Sequence, residues 1–206
     1  MIDRLIHIFA QNGAEEVVVI INNEVPLTKA HLHELEKNSE VPLRVVVKTT
    51  PSSMHSFYEL SRYLKDDRFC LTTVDTIFRE EEFARFIEAF KAYDGDGMMA
   101  VTDYIDDERP LYVGVGENDL ITGFHDTYSE GLRYISGGIY GLTPNALPIL
   151  RRCLEQGNSR MRNFQRALVA EGCRLKAWRF SKVLDIDHAT DIAKAEEFLS
   201  GDATCG

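Results

Sequence analysis

The chain has 206 residues, of which 44% are hydrophobic and 27% are charged, a composition typical of a globular domain that can bury a full core. Its formal net charge of −10 argues against non-specific nucleic-acid binding, because that affinity rests on Lys and Arg at phosphates. We find no signal peptide, and no apolar run approaches the roughly 20 residues that span a bilayer. The sequence therefore predicts a cytoplasmic protein without nucleic-acid or membrane partners.

The cysteines do not indicate a disulfide framework or a structural zinc site. The chain has four of them, Cys70, Cys153, Cys173 and Cys205. None of the spacings is close, as in C-x-x-C, and two of the four lie in apolar runs, where free cysteine behaves as a small core residue.

Helix-period and strand-period segments alternate through the first half of the chain. In order, the predicted elements are a helix over 2–9 closed by Asn12-Gly13, a strand over 15–22, a helix capped by Thr28 and running to about Lys37, a strand over 43–48, a helix capped by Ser52 or Ser53, a strand over 68–74 that ends at Asp75, and a helix over 79–93. The strands have no polar face and are separated by helices, which indicates a parallel sheet covered on both sides. The right-handed crossover rule then favours a Rossmann-like α/β layer.

The second half begins with strands joined by short links. Predicted strands cover 98–105, 110–116 and 119–125, with a hairpin turn at 117–119, and a further strand covers 132–143. We expect a helix to start at Thr143-Pro144 with Pro in its first position, followed by a helix over about 160–171, a strand over 173–180 and a closing helix over 189–200. The run DYIDDE (103–108) is interpreted as a solvated turn. The sequence predicts one mixed α/β domain over 1–206 with an antiparallel insert.

One carboxylate stands out in the stretch FCLTTVDTIF (69–78), where Asp75 follows an apolar run directly. A charged group at the end of a buried strand is costly unless it is paired or used. Taken alone, Asp75 is either a helix or turn cap or a metal ligand, and the stretch itself leaves both alternatives open.

Four segments, in their order and spacing, carry a resemblance to a known family. They are MIDRLIHIFAQNGAEEVVVIIN (1–22), FCLTTVDTIF (69–78), ISGGIYGLTPNAL (135–147) and GCRLKAWRFSKVLDIDHATDIAKAEEFL (172–199). Over nearly its whole length the chain resembles the sugar-phosphate nucleotidyltransferases, or nucleoside-diphosphate-sugar pyrophosphorylases. The resemblance implies the nucleotide-diphospho-sugar transferase fold, a Rossmann-like three-layer α/β sandwich with a mixed, mostly parallel sheet and an antiparallel insert.

The family joins a nucleoside triphosphate to a sugar 1-phosphate and releases pyrophosphate and a nucleotide-sugar. The resemblance implies these two substrates as partners and Mg²⁺ as the cofactor, held by one or two carboxylates and by phosphate oxygens. Asp75 matches the first metal-binding aspartate of the family. Asp185 and Asp187 match alternative forms of the second, and Asp187 is also a candidate cap for the closing helix, so the choice stays open. A homo-oligomer is compatible with the sequence.

The resemblance also assigns substrate-binding positions. Gly137 and Gly138 match a strand whose backbone lies against the sugar, although glycine inside a strand is more often a bulge or a close packing contact. Ser53 and His55 lie where the family has a helix start near the base and ribose, whereas Ser53 is also a simple helix cap. Lys182, just before LDID (184–187), is the candidate catalytic cation that neutralises a phosphate, against a surface lysine beside a strand.

Two family motifs have no counterpart in these 206 residues. The fingerprint G-x-G-T-R…P-K, which supplies the phosphate loop and a catalytic Arg and Lys, is not found, and FHDTYSEG (124–131) stands where the acidic-basic sugar motif E-K-P is expected. We expect the first strand and phosphate loop to be missing in front of Met1, and we expect this chain to have little pyrophosphorylase activity. The alternatives are a non-catalytic domain for ligand sensing or subunit contact, and a glycosyltransferase, which is disfavoured because Val-Asp-Thr replaces D-x-D.

Overall fold

The computed structural model describes residues 1–64, 67–106, 109–186 and 188–200. In chain order its elements are α1 (Ile2–Gln11), β1 (Val17–Ile21), α2 (Pro26–Asn38), β2 (Leu43–Val47), α3 (Ser53–Ser61), β3 (Phe69–Leu71), β4 (Thr76–Ile77), α4 (Glu80–Ala92), β5 (Gly97–Thr102), β6 (Tyr112–Val115), β7 (Ile121–His125), β8 (Tyr134–Leu142), α5 (Ala146–Glu155), α6 (Met161–Ala170), β9 (Leu175–Arg179), β10 (Leu184–Asp185) and α7 (Ala189–Ser200).

Packing divides the chain into two units. Unit 1 is formed by Met1–Asp67 and Pro144–Leu168, and unit 2 by Arg68–Thr143 and Val169–Gly206. The single domain expected over 1–206 stays a prediction. Within the described ranges, no helix is both long enough and apolar enough to cross a membrane.

Unit 1 is built on a parallel pair of strands covered by helices. Strands β1 and β2 pair in register from Val17 opposite Leu43 to Ile21 opposite Val47, and their β-branched side chains suit a sheet with apolar contacts on its faces. Ile6 of α1 and Leu32 of α2 are buried in the cluster that packs against this sheet.

The sheet of unit 2 is mixed. Its strand order is β7-β6-β8-β5-β9, and β3 pairs with β8 off this path. Strands β5 and β9 run parallel, whereas β8 runs antiparallel to β3, β5 and β6, and β6 and β7 form an antiparallel hairpin. The turn of that hairpin contains Asn118 and Asp119 with φ of 57° and 61°, a conformation that Asn and Asp tolerate better than other residues that carry a side chain. The turn predicted there is confirmed.

An aromatic cluster fills the core of unit 2. Phe83 and Phe86 of α4 are fully buried. The Phe83 ring stacks on Phe78 at 4.9 Å between centroids, and Phe86 contacts the Phe180 ring at 5.8 Å. This spacing of apolar residues along α4 is the helical period from which the element was predicted.

The mixed α/β fold inferred from the sequence is confirmed, while several element boundaries were wrong. Thr28 lies inside α2, which begins at Pro26 after Val25, because Pro suits the first turn of a helix. Pro144 precedes Asn145, the cap of α5, rather than opening the helix. The third strand covers only Phe69–Leu71 and is antiparallel to β8, so Asp75 lies beyond its end.

Candidate active site

Asp75 and Asp185 both lie at a short pair of strands in unit 2. Strands β4 and β10 are antiparallel and place Asp185 opposite Thr76, although these two residues are 109 positions apart in the chain. The Ile186 N–H donates to the Asp75 carbonyl at 3.1 Å and extends the pairing by one residue. The structure therefore places Asp75 directly before β4 and Asp185 at the end of β10, the strand paired with β4.

The Asp75 carboxylate has an unsatisfied buried oxygen. Asp75 is half-buried, its Oδ1 atom is screened from solvent, and no hydrogen-bond donor reaches that atom among the described residues. Buried polar atoms without a partner are rare because each one costs free energy. A carboxylate oxygen in this state fits a divalent cation, since hard cations such as Mg²⁺ take carboxylate oxygens as ligands.

The Asp185 carboxylate is exposed and is oriented by a buried hydroxyl. Thr76 Oγ1 donates to Asp185 Oδ1 at 3.3 Å and lies 2.8 Å from Thr73 Oγ1. Within the described ranges, no group of three His, Cys, Asp or Glu side chains could hold a metal by itself. Two carboxylates still suit Mg²⁺, which keeps several waters or phosphate oxygens as ligands. Asp187, the alternative second ligand, lies outside the described residues.

The two glycines that the sequence assigned to the sugar form a bulge in β8. Met99 of β5 pairs with Tyr140 and Val101 pairs with Ser136, so the single residue between them on β5 faces three residues of β8. Gly138 has a φ of +69°, which favours glycine. A Cβ atom on Gly137 would lie 3.2 Å from Val183 Cγ2. The bulge and the close packing are both present, and Gly137 also lines the cleft beside this bulge.

A cleft of about 560 Å³ opens within unit 2 beside Asp185, and Asp75 is not among its lining residues. Its polar lining comes from the segment after β5, from β8 and from the β10–α7 region, and includes Tyr104, Asp106, Arg109, Ser136, Asp185 and Lys194. Ser136 also bonds the phenol of Tyr140, a residue whose burial raises its pKa to about 12. The lining thus offers hydroxyls, carboxylates and cations within one cavity, a set suited to a small polar ligand with an anionic group.

An ion-pair cluster lies on one side of the cleft. Lys194 Nζ is 3.0 Å from Asp106 Oδ2 and 3.6 Å from Asp191 Oδ1. The hydrogen bond to Asp106 raises the pKa of Lys194. The pKa of Asp191 is lowered, first by the His188 N–H that donates to Asp191 Oδ2 at 2.9 Å and then by the charge of Lys194. Lys194 and Asp191 are therefore both charged at neutral pH.

Lys182, the predicted catalytic cation, lies over aromatic rings. Its Nζ is 4.2 Å from the centroid of Tyr104 and 5.3 Å from that of Phe198, and Lys182 is not among the residues that line the cleft. Its contact with Tyr104, one of the lining residues, supports that wall by a cation–π interaction. Its assignment as a phosphate ligand stays a prediction.

Ser53 and His55 belong to unit 1, at the start of α3. Ser52 is the cap of this helix and accepts from the His55 N–H at 3.4 Å, while its hydroxyl lies 2.8 Å from His55 Nδ1. Of the two serines offered as caps by the sequence, Ser52 takes that position, and Ser53 is the first helical residue. Their predicted roles at the base and ribose stay predictions.

Sequence reasoning missed several residues of the cleft. Tyr104 and Asp106 belong to the run interpreted as a solvated turn, yet both line the cavity. Lys194 lies in the closing helix, where a surface position is the default expectation. The one available signal was the composition of residues 103–109, which place an aromatic ring, carboxylates and Arg109 directly after a buried strand.

Comparisons with known proteins agree on a family and a fold. Residues 1–200 match the family model described as nucleotidyl transferase, while no curated protein sequence matches the chain significantly. The inositol-1-phosphate CTP transferase from T. maritima is 20% identical with a TM-score of 0.74, and the match covers 95% of this chain and 82% of that one. A protein described as a glucose-1-phosphate thymidylyltransferase from Bacillus anthracis is 14% identical with a TM-score of 0.80, and the match covers 94% and 79%. UDP-glucose pyrophosphorylase complexed with UDP-glucose is 12% identical with a TM-score of 0.78, and the match covers 96% and 85%.

Proposed function

The chain belongs to the nucleotidyl transferase family, and on that basis we propose that it joins a nucleoside triphosphate to a sugar 1-phosphate, giving a nucleotide-sugar and pyrophosphate. The substrate class is supported by the names of its structural neighbours, which include a CTP transferase of inositol 1-phosphate and a UDP-glucose pyrophosphorylase. The cleft beside Asp185 has hydroxyls for a polyol and cations for a phosphate, and this composition fits the sugar phosphate.

The observation that carries the proposal is the unsatisfied Oδ1 atom of Asp75, the residue that precedes Thr76, which lies opposite Asp185. We propose that these two carboxylates hold Mg²⁺ together with substrate phosphate oxygens. A bound Mg²⁺ ion neutralises charge on the phosphates and helps to align them for in-line attack. Thr76 orients the Asp185 carboxylate through its hydroxyl, so the protein prepares the geometry of the second ligand before substrate arrives.

The remaining contribution of the chain is positioning. Two anionic substrates repel each other, and most of the rate in phosphoryl-type transfer comes from holding the reacting oxygen in line with the phosphorus. Ser136 and Gly137 line the cleft, so the Ser136 hydroxyl and the backbone beside it are the proposed hydrogen-bonding groups for sugar hydroxyls. The buried Tyr140 phenol, whose pKa is about 12, stays protonated at neutral pH and keeps its bond to Ser136.

The test is pyrophosphate release by the purified chain with a panel of nucleoside triphosphates and sugar 1-phosphates in the presence of Mg²⁺. Because these residues contain no G-x-G-T-R…P-K fingerprint, we expect only slow turnover of one substrate pair. We expect Asp75→Asn to lower kcat/KM further by about 100-fold or more, as loss of a principal electrostatic contact does. The matched control is Asp94→Asn, which changes a carboxylate of unit 2 whose side chain is 88% exposed. A substrate pair that reacts equally well with Asp75→Asn would contradict the proposed role of Asp75.

A second candidate is a non-catalytic domain that binds the same ligands. It is favoured by one sequence observation, namely that these 206 residues contain no G-x-G-T-R…P-K fingerprint. Binding of a sugar phosphate without pyrophosphate release from any substrate pair would support this candidate. Hydrolysis of a nucleotide-sugar without any use of triphosphate would instead indicate a glycosyltransferase.

A further inference from the structure

Two cations of the described residues line the cleft, Arg109 after β5 and Lys194 on α7. We propose that Lys194, together with Arg109, binds the phosphate group of the sugar phosphate, and that Asp106 holds the Lys194 ammonium group until the phosphate replaces it. This inference rests on the proposed function for the identity of the ligand, but it concerns the cleft residues and not the paired aspartates.

One of the two ion-pair contacts of Lys194 is weak enough for a ligand to replace it. Its Nζ atom lies 3.0 Å from Asp106 Oδ2 and 3.6 Å from Asp191 Oδ1, and its side chain is 50% exposed. Asp106 is 88 residues away in the chain, whereas Asp191 is one helical turn away on α7. Exposed ion pairs are weak because water screens them. The Asp106 contact can therefore be given up while the contact with Asp191 keeps the ammonium group at the cleft.

A phosphate is a better partner for these two cations than the Asp106 carboxylate. Its charge at neutral pH exceeds that of one carboxylate, and an ammonium group has three N–H donors, so Lys194 can contact Asp191 and a phosphate oxygen together. The Arg109 guanidinium has a planar fork that matches two phosphate oxygens. Both side chains face the same cavity as Ser136 and Asp185, so a ligand with one phosphate and several hydroxyls can meet all four.

Lys182 is the alternative candidate for the phosphate contact, and its aromatic contacts argue against that role. Its ammonium group is engaged with the Tyr104 and Phe198 rings at 4.2 Å and 5.3 Å. Moving it to a phosphate would break both cation–π contacts, and the second of these joins Lys182 to Phe198 of α7. We therefore assign to Lys194 the phosphate contact that the sequence suggested for Lys182.

The experiment measures binding by calorimetry without any triphosphate. The probes are glucose 1-phosphate, inositol 1-phosphate and inorganic phosphate, each of the first two paired with its unphosphorylated parent. We expect Lys194→Gln to weaken binding of the tightest phosphorylated probe about tenfold, the loss typical of a charged hydrogen bond. Lys194→Arg should restore most of the affinity. Lys176→Gln, which changes a lysine of β9 that does not line the cleft, should leave the affinity unchanged.

Asp106→Asn separates phosphate binding from a structural role. If Asp106 competes with the phosphate for Lys194, its neutralisation tightens binding, by up to about fivefold for an exposed ion pair. If the ion pair merely braces the cleft, Asp106→Asn and Lys194→Gln both weaken binding, for the phosphorylated probe and its parent alike, and the proposal is wrong. A loss on Lys182→Gln larger than that on Lys194→Gln, or no binding of any phosphate probe, also overturns it.

The two proposals can fail separately. Phosphate-selective binding that depends on Lys194, without nucleotidyl transfer, would contradict the proposed reaction and support the phosphate site. Nucleotidyl transfer in which Lys194→Gln leaves the KM for the sugar phosphate unchanged would contradict the proposed phosphate site and support the proposed reaction.

Discussion

Replacing Asp75 by alanine should stabilise the protein in the absence of divalent ions. The Oδ1 atom of Asp75 is buried and accepts no hydrogen bond from the described residues. Leaving such a group unsatisfied costs about 1–3 kcal/mol, and a half-buried aspartate offers little packing to lose. We therefore expect Asp75→Ala to raise the free energy of unfolding by about 1 kcal/mol in a chelator. For a chain of this length, that corresponds to an increase of about 2–4 °C in Tm.

Saturating Mg²⁺ should invert the order of stability. A ligand at about 100 times its Kd adds about 2.7 kcal/mol to the protein that binds it. If Asp75 is a principal ligand, the wild type gains this amount and Asp75→Ala gains little, so the wild type becomes the more stable protein by about 1.7 kcal/mol.

The assay is thermal unfolding followed by circular dichroism, with and without Mg²⁺, and Asp94→Ala serves as the exposed-carboxylate control. If Asp75→Ala is less stable than wild type in chelator, the unsatisfied Oδ1 atom does not destabilise the folded protein, and the reasoning is refuted. Equal stabilisation of both proteins by Mg²⁺ would refute the role of Asp75 as a ligand.

Two further predictions concern the backbone of β8 and the pH dependence of unit 1. Gly138→Ala should lower the free energy of unfolding measured in urea by about 1–2 kcal/mol. The reason is the φ of +69° at this position, since the nearest atom to the new methyl group, Thr76 Oγ1, would be 3.8 Å away. An unchanged urea midpoint would show that the bulge relaxes freely. Glu59→Gln should lower the free energy of unfolding by about 1 kcal/mol at pH 7. In the folded protein the hydrogen bond from Lys48, and then the charge of Arg62, lower the pKa of Glu59. This stabilisation is present above the unfolded-state value near 4.5 and is lost as the pH falls through the lower folded-state pKa. The two proteins should therefore converge in acid, and a constant difference from pH 7 to pH 3 would contradict this account.

Elements with strong local signals could be predicted from the sequence. The helix α7 has the bounds expected for it, and α1 ends where Asn12-Gly13 indicated, with a φ of 80° at Gly13. Helical period and terminal residues act within one or two turns, so a single sequence contains the information that these elements need.

Strand boundaries depended on pairing that the sequence does not display. The run 68–74 was predicted as one strand, but β3 stops at Leu71, since its partner β8 pairs with it only over Tyr140–Leu142. The strands β4 and β10 have two residues each, too short for any periodicity. Their pairing is nevertheless what places Asp185 opposite Thr76, the residue after Asp75, so this arrangement had no local signature.

The cleft was the least predictable part of the site. Asp75 and Asp185 were expected because segments around them resemble a family, whereas Arg109 and Lys194 match no motif. The ion pair between Lys194 and Asp106 spans 88 residues, and charged residues in a loop and on a helix are usually solvated. Only the folded arrangement of β5, β8 and α7 shows that these side chains face one cavity.

The pairing of β4 with β10 also sets the time at which the site can first exist. The residues that lie opposite each other, Thr76 and Asp185, are separated by 109 positions, so a chain growing on the ribosome has the first carboxylate long before the second. Until Asp185 has left the ribosome, β4 lacks the β10 strand that pairs with it, and Asp75 lacks its proposed partner ligand. An incomplete chain is thus kept from assembling the proposed metal site, and a frameshift anywhere before Leu184 removes the proposed site altogether.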